Sequence, residues 1–354
     1  MSDITQRKID HLDLAARGDV AFRGRTTLLE CVHLVHDALP DLHLDRIDTS
    51  VTLLGKRLRA PLLIAGMTGG NARAGAINRE LAALAEARGY GFGLGSQRAM
   101  VLRPETRPSF LVRDVMPTGL LLGNVGLVQA RSMSDQALAD LVGEVGADAL
   151  CVHLNPAMEL VQDDGDRDFG RGLERLGELV EGLPVPLVVK ETGCGLSGSL
   201  GRRLRGVGVR HVDVSGAGGT SWVGVEAQRT ATARRALGET FWDWGIPTAA
   251  SVALLAPLGF ETLFATGGLG SGLDVARAIA LGASAGGIAR HALRALEAGG
   301  PARAAEFFAA VEQELRAAML LTGCRDLASL RRAPRVVLGE LAEWIRQVGG
   351  TTPG

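Results

Sequence analysis

Eight short apolar runs, each followed by a longer polar or amphipathic segment, recur between residues 61 and 289 of this 354-residue chain. Runs rich in Val, Leu and Ile that alternate with helical patterns are typical of parallel strands covered by helices. Eight such units over roughly 250 residues match a closed (β/α)8 barrel, so the predicted fold is an α/β TIM barrel. The predicted strands are Pro61–Gly66, Gly91–Gly95, Gly119–Val125, Ala147–Leu154, Pro186–Lys190, His211–Ser215, Thr262–Thr266 and Ala283–Ala289.

The segments between these runs carry apolar residues at helical spacing. After the first run, for example, Ile77, Leu81 and Leu84 fall on one helix face. An open doubly wound sheet is the alternative architecture, but no early GxGxxG opens a first helix, which disfavours it. The other predicted helices lie near residues 105–115, 135–144, 171–182, 198–207, 248–258, 271–282 and 302–320.

Two segments lie outside the eight units, one at each end of the chain. The C-terminal one carries a helix pattern around Leu341 and Trp344. Residues 223–244 are long for a βα loop, so we expect them to cover the mouth of the barrel. The chain is predicted to be one domain, residues 1–354, made of an N-terminal extension (1–60), the barrel (61–320) and a C-terminal helical segment (321–354).

Composition excludes several classes of function. The formal net charge is −1 and aromatic residues make up 4%, which does not suit a nucleic-acid partner. The cysteines at 31, 151, 194 and 324 form no CxxC pair, which argues against zinc or iron–sulfur binding and fits a reducing compartment. No apolar run reaches the ~20 residues of a membrane helix, and the N-terminus has no signal-peptide core. We therefore expect a cytoplasmic protein without a membrane partner.

Polar and glycine-rich motifs follow all eight predicted strands. Functional residues of such barrels gather at the C-terminal ends of the strands, so the motifs predict a single site at one mouth. In strand order they are Gly66–Gly70, Gly95–Arg98, Gly123–Asn124, His153–Asn155, Lys190–Glu191, Ser215–Thr220, Thr266–Gly272 and Gly287–Arg290.

The motifs after the last two strands predict a phosphate site. Gly267, Gly268 and Gly270 precede a predicted helix, and Ala289 and Arg290 end the motif of the eighth strand. Barrels frequently bind a phosphate between these two loops, through backbone N–H groups and a helix N-terminus that glycine lets a ligand approach closely. Ordinary turn glycine is the alternative for either loop alone, and the two loops together favour a phosphate.

Charged side chains near these motifs are candidates for the chemistry. Lys190 ends an apolar strand, where it requires an anion, a carbonyl substrate or an electron-rich ring. Arg98 can hold phosphate oxygens at the end of strand two. Glu159 follows strand four, and one carboxylate plus substrate phosphates is a usual arrangement for Mg²⁺. A basic pair near an N-terminus, such as Arg7 and Lys8, more often faces solvent.

In order and spacing, these motifs resemble the type 2, FMN-dependent isopentenyl-diphosphate isomerases over nearly the whole chain. Each shared segment is short, and their sequence along the chain makes the resemblance specific. The segments are Arg7-Lys8 with His11, MTGG at 67–70, GSQR at 95–98, HLNP at 153–156, GDRDF at 165–169, VKE at 189–191, SGAGGTSW at 215–222, WGIPT at 244–248, and GLDVA at 272–276 with ALGA at 280–283.

The resemblance implies an FMN-bound barrel that interconverts isopentenyl and dimethylallyl diphosphate with magnesium. It implies a reduced flavin, with NADPH as reductant, catalytic roles for Lys190 and His153, and a homo-oligomer, tetrameric or larger. By the same resemblance, FMN contacts Met67, Thr68, Ser96, Asn124, Lys190, Ser215 and Thr220, and its phosphate contacts Gly267, Gly268, Gly270, Ala289 and Arg290. The substrate diphosphate contacts Arg7, Lys8, Arg98, His153 and Asn155, and magnesium contacts Glu159.

Met158 departs from the family pattern, which has a glutamine at this place near the reacting end of the substrate. A thioether cannot donate a proton, and loss of a general acid–base group typically costs about 10²–10⁴-fold in rate. Two alternatives therefore stay open: a diverged flavoenzyme acting on another prenyl diphosphate, and a non-catalytic flavin or prenyl-diphosphate binding protein. A hydroxy-acid oxidase is disfavoured because the loop at 215–220 contains no histidine.

Overall fold

Eight parallel strands close into a barrel. The structure, a computed structural model, describes residues 4–230 and 233–349. Neighbouring barrel strands pair in chain order, and the first pairs with the eighth, so the sheet has no free edge. The predicted (β/α)8 barrel is therefore confirmed. Its strands are Leu62–Ile64, Gly91–Gly93, Leu121–Gly126, Ala149–Leu154, Leu187–Glu191, His211–Asp213, Thr262–Thr266 and Ala285–Ile288.

Helices cover the outside of the barrel, and local sequence sets their ends. Asn71 begins the first barrel helix, where its side chain accepts a hydrogen bond from the Ala74 N–H at 2.8 Å, and Gly89 ends it at φ 71°. No helix in the described residues is long and apolar enough to cross a membrane. The α-helices are Ile4–Arg17, Ala72–Arg88, Arg98–Leu102, Leu127–Ser132, Asp135–Val145, Pro156–Val161, Gly172–Gly182, Gly198–Gly206, Trp222–Arg229, Ala233–Thr240, Thr248–Leu255, Gly272–Leu281, Arg290–Leu320 (with non-helical Gly299 and Gly300), Leu327–Arg332 and Gly339–Val348, and the 3₁₀ helices are Leu29–Cys31, Leu44–Arg46, Pro104–Phe110 and Ala256–Leu258.

One local prediction is wrong and another is incomplete. Residues 105–115 do not form an α-helix: the 3₁₀ helix Pro104–Phe110 takes their place, because Pro108 lacks the N–H that an α-helix needs. Residues 223–244, expected as a long loop, contain most of two α-helices. Ser221 begins the first of these, since its hydroxyl accepts a hydrogen bond from the backbone N–H three residues on.

Side chains inside the barrel form an apolar lower layer and a polar upper layer. Alternation along each strand places residues two apart on the same face. The lower layer consists of Leu63, Leu122, Cys151, Val188, Phe264 and Ala285. Two residues further along their strands, the upper layer contains Asn124, His153, Lys190 and Thr266, with Asp213 ending the sixth strand beside them. The fold therefore concentrates polar groups at one mouth.

A β-hairpin closes the opposite end of the barrel. Its strands, Val51–Leu53 and Lys56–Leu58, pair antiparallel, and its buried Leu53 and Leu58 join the lower apolar layer. Lys56 lies 3.3 Å from Asp148, which immediately precedes the fourth barrel strand. The hairpin thus seals the end at which the strands begin.

The N-terminal extension also reaches the mouth and the C-terminal segment. Residues of helix Ile4–Arg17 line the cavity at the mouth. Strand Val32–Leu34 pairs antiparallel with strand Arg335–Val337, which joins the two terminal segments of the chain. The expected C-terminal helix begins after that strand, at Gly339.

Candidate active site

The C-terminal ends of the barrel strands enclose a cavity of about 470 Å³. Helix Ile4–Arg17 forms part of its wall. Thr68 and Gly270 fall just outside the lining, next to the lining residues Met67 and Leu269. The predicted site residues that line the cavity are Arg7, Lys8, Met67, Ser96, Arg98, Asn124, His153, Asn155, Met158, Glu159, Lys190, Ser215, Thr220, Gly267, Gly268, Ala289 and Arg290.

Three of the cations that line this cavity, Arg7, Lys8 and Arg98, keep donor groups without partners in the described residues. Lys8 and Arg98 form no side-chain hydrogen bond or ion pair within the described part of the chain, and the buried Nε of Arg7 has no partner there. Burial, together with Arg7 and Arg98, lowers the pKa of Lys8 to about 8. Burial and Arg98 also lower the pKa of Arg7. Cations that repel one another and keep free donors fit a multiply charged anion.

A buried carboxylate lies beside these cations. Glu159 accepts a hydrogen bond from the Asn155 amide at 2.8 Å on Oε1 and from the Asp166 N–H at 2.8 Å on Oε2. Gln162 connects it to the cations: its amide nitrogen donates to Oε2 at 3.3 Å, and its amide oxygen accepts from Arg7 at 2.7 Å. Since a carboxylate oxygen has two lone pairs, Oε1 retains one for a metal cation.

His153 is held as a neutral ring. Its Nδ1 lies 2.8 Å from Asn124 Oδ1, and the Asn124 amide nitrogen donates to the Leu94 carbonyl at 3.0 Å. Because Asn124 Oδ1 is thus the acceptor, the ring proton sits on Nδ1. Burial, with Lys190 and other cations, lowers the pKa of His153 to about 3. The Nε2 atom is therefore an unprotonated acceptor at neutral pH.

Lys190 lies between a carbonyl and a carboxylate. Its ammonium donates to the Glu191 carbonyl at 2.6 Å and is 3.9 Å from Asp213 Oδ2. The Thr266 hydroxyl donates to Asp213 Oδ1 at 2.6 Å. Burial raises the pKa of Asp213, against the opposing effects of Lys190 and these hydrogen bonds. The barrel thus holds the Lys190 ammonium at the cavity wall with the buried Asp213 carboxyl group behind it.

The opposite side of the cavity has the predicted glycine-rich loop. Gly267 and Gly268 adopt φ of 102° and 82°, which glycine tolerates and other residues rarely do. Arg290 begins the helix after the eighth strand, and its guanidinium donates to the carbonyls of Ala15 at 2.9 Å and Gly18 at 2.7 Å. Arg290 therefore contacts the end of the N-terminal helix as well as the cavity.

Comparisons with known proteins identify the family. A family model described as FMN-dependent dehydrogenase matches residues 152–336. The isopentenyl-diphosphate delta-isomerase of Methanosarcina mazei is 42% identical over 351 residues, covering 98% of this chain and 95% of the relative. The protein of the same name from Methanothermobacter thermautotrophicus is 41% identical over 352 residues, covering 99% and 98%. This chain belongs to the FMN-dependent isopentenyl-diphosphate delta-isomerase family.

Solved structures with the same fold include mandelate oxidases. A mandelate oxidase variant with a monooxide FMN adduct has a TM-score of 0.65 and 18% identity, covering 92% of this chain and 95% of that one. A variant with (S)-mandelic acid also has a TM-score of 0.65 and 18% identity, covering 93% and 94%. At this identity, the likeness concerns the barrel fold alone.

The cavity lining also includes His11 and Trp222, for which the sequence analysis predicted no role. His11 Nε2 lies 2.7 Å from Glu226, which also accepts from Arg229 at 2.6 Å. The His11 and Trp222 rings meet edge to face, with centroids 5.3 Å apart. Burial lowers the pKa of His11, although its bond to Glu226 opposes the shift. His11 follows Lys8 by three residues, a helical spacing that could have indicated it.

Proposed function

We propose that this protein interconverts isopentenyl diphosphate and dimethylallyl diphosphate, with reduced FMN and Mg²⁺. The observation that carries the proposal is the group of three cations, Arg7, Lys8 and Arg98, which face one cavity without ion-pair partners in the described residues. A diphosphate offers several charged acceptor oxygens to such donors. Relatives about 42% identical over almost the whole chain have the name of this activity.

Glu159 is the proposed ligand for Mg²⁺. In the described ranges, no group of three or more His, Cys, Asp and Glu side chains could hold a metal ion. Mg²⁺ commonly binds one or two carboxylates together with substrate phosphates and water. A single carboxylate beside the three cations therefore supports a Mg²⁺ ion that is bound by Glu159 and by the substrate diphosphate at once. Hydrogen bonds from Asn155 and Gln162 orient the Glu159 carboxylate.

Groups at the cavity wall and directly beside it, such as Thr68 next to the lining residue Met67, fit FMN. The Thr68 hydroxyl is buried and has no hydrogen-bond partner among the described residues, so a polar group of a ligand would satisfy it. Lys190 adds a cation that would stabilise negative charge on a reduced ring. We propose that the ring contacts Met67, Thr68, Ser96, Asn124, Lys190, Ser215 and Thr220, and that its phosphate is held by Gly267, Gly268, Gly270, Ala289 and Arg290.

Side chains of the cavity would orient the substrate, and the protonation state of His153 determines where a proton must lie between it and the diphosphate. When bound and reduced, FMN supplies an electron-rich ring that can exchange a proton with an allylic carbon. His153 meets the diphosphate at Nε2, and since both are acceptors, one proton must lie between them. Met158 lines the cavity and offers an apolar surface to the hydrocarbon end of the substrate. Helix Ile4–Arg17 helps to exclude water from this space.

Met158 favours one further candidate, a related flavoenzyme that acts on a different prenyl diphosphate. Its thioether cannot exchange protons, so the rate with the five-carbon substrate depends on the other groups of the site. A protein that binds flavin and prenyl diphosphate without catalysis is the remaining alternative. The cation cluster would serve diphosphate binding in all of these cases.

The test is turnover of isopentenyl diphosphate with Mg²⁺ and FMN in deuterated water, under anaerobic conditions, with the flavin reduced by dithionite or NADPH. We expect dimethylallyl diphosphate containing deuterium, and only when the flavin is reduced. FMN-loaded protein that gives neither product nor exchange would refute the isomerase. The matched variant is Met158→Gln: a large gain in rate identifies an impaired isomerase, and no gain favours another prenyl diphosphate or a binding role.

We further propose NADPH as the reductant, assembly into a homo-oligomer of four or more copies and a cytoplasmic location, as the family resemblance implies. Light scattering after size-exclusion chromatography measures the oligomer. Anaerobic spectra with and without NADPH measure reduction of the bound flavin.

A further inference from the structure

A buried carboxylate lies behind the cavity wall. Asp213 ends the sixth barrel strand and is only 2% exposed. Its Oδ1 accepts hydrogen bonds from the Thr266 hydroxyl at 2.6 Å and from the Ser215 N–H at 3.2 Å. Its Oδ2 lies 3.9 Å from the Lys190 ammonium. A buried charge is costly unless it is paired and hydrogen-bonded, and these contacts supply both conditions.

The register of the barrel places these groups together. Lys190 and Asp213 are direct partners across the fifth and sixth strands. Phe264 is the partner of Asp213 on the seventh strand, and Thr266 follows Phe264 by two residues on the same face. The arrangement therefore belongs to the rigid sheet and does not depend on a loop.

We propose that Asp213 is a positioning residue that holds the Lys190 ammonium, offsets part of its charge and thereby sets the reduction potential of bound FMN. This inference rests on the proposed function, because it requires FMN in the cavity. Lys190 lines the cavity and Asp213 does not, so Lys190 is the member of the pair that a bound ring would contact. Thr266 and the Ser215 amide occupy Oδ1 and leave Oδ2 for Lys190.

A purely structural role for Asp213 makes a different prediction. Ser215 adopts φ of 37°, an uncommon conformation for a residue other than glycine, and its N–H bonds to Asp213. An oxygen acceptor is sufficient for that bond, so asparagine would preserve it. Asparagine removes only the negative charge next to Lys190. A change in the reduction potential of bound FMN would therefore report the loss of that charge.

The experiment compares two-electron midpoint potentials of the FMN-loaded full chain, measured against reference dyes. In Asp213→Asn, the Lys190 charge is no longer offset, which favours the anionic reduced flavin, and we expect a tenfold shift towards the reduced form, or about 30 mV. Lys190→Met should lower the potential. The double variant should equal Lys190→Met alone. The matched control is Asp148→Asn, a carboxylate paired with Arg113 at the closed end of the barrel, which should leave the potential unchanged.

An unchanged or lowered potential in Asp213→Asn would overturn the inference. So would a rise that persists in the Lys190→Met background, since Asp213 would then act by another route. If Asp213→Asn does not fold, Asp213→Ser removes the same charge, and a rise is again expected. Wild-type protein that binds no FMN refutes the proposed cofactor and this inference together. Wild-type protein that binds FMN without isomerase activity refutes only the reaction, and the potentials still decide the role of Asp213.

Discussion

Removal of Arg290 should weaken the attachment of the N-terminal helix to the barrel. The guanidinium donates two hydrogen bonds to carbonyls at the C-terminal end of helix Ile4–Arg17, those of Ala15 and Gly18. A hydrogen bond from a charged donor contributes about 1.5–3 kcal/mol, and the lower end suits a half-buried group. Two bonds give about 3 kcal/mol, so Arg290→Ala should make local opening of the helix about 100-fold more frequent.

Native-state trypsin cleavage measures this opening, because the sites at Arg7 and Lys8, which line the cavity, become accessible when the helix detaches. Slow cleavage follows the open population. The assay uses FMN-free protein, which separates the effect from the proposed phosphate contact. Arg294→Ala is the matched control: it loses one bond, to the Ala16 carbonyl at 3.0 Å, and about tenfold faster cleavage is expected. Equal rates for wild type and Arg290→Ala would refute the reasoning.

Three other predictions concern the metal, the cations and the hairpin. Glu159→Gln should raise the Mg²⁺ concentration for half-maximal rate roughly tenfold and leave FMN affinity, measured by fluorescence quenching, unchanged; an unaltered Mg²⁺ requirement would exclude this ligand. The pKa of Lys8 is about 8, so its charge is present below that pH and lost above it. The kcat/KM should therefore fall by up to about tenfold per pH unit above pH 8, and Lys8→Arg should remove the fall. Leu58→Ala should lower the free energy of unfolding in urea by about 2–5 kcal/mol, because it leaves a void among buried side chains; a loss below about 1 kcal/mol would contradict the hairpin packing.

The barrel could be predicted because its strands are buried on both faces and so consist of nearly continuous apolar residues. Strand Arg335–Val337 could not, since it has three residues and its partner, Val32–Leu34, lies about 300 residues away in the sequence. At residues 105–115 the error is the reverse: an α-helix was predicted where none forms. The spacing of apolar residues there resembled that of an α-helix, but Pro108 prevents one and the segment forms a 3₁₀ helix instead.

The site was predictable where it depends on strand ends and was missed where it depends on register. Lys190 could be recognised because a lysine ending an apolar strand requires an explanation. Asp213 gave no such signal, since a carboxylate near a strand end also fits a solvated loop. Its importance follows from pairing with Lys190 across two strands, which no local pattern contains. Glu226 was missed because its segment was interpreted as a loop.

The N-terminal extension contributes a helix to the cavity wall at one end of the barrel and a hairpin that seals the other end. This arrangement affects the order in which the protein folds during synthesis. Helix Ile4–Arg17 is made before any barrel strand, yet the carbonyls at its end are held by Arg290 and Arg294. At 5–20 residues per second, those arginines follow the helix by roughly 15–60 s. Throughout that interval, Arg7 and Lys8 of the nascent chain are exposed, because the barrel cavity that they line has not yet formed. The cavity lined by Arg7 and Lys8 is thus completed only when translation has passed the last barrel strand.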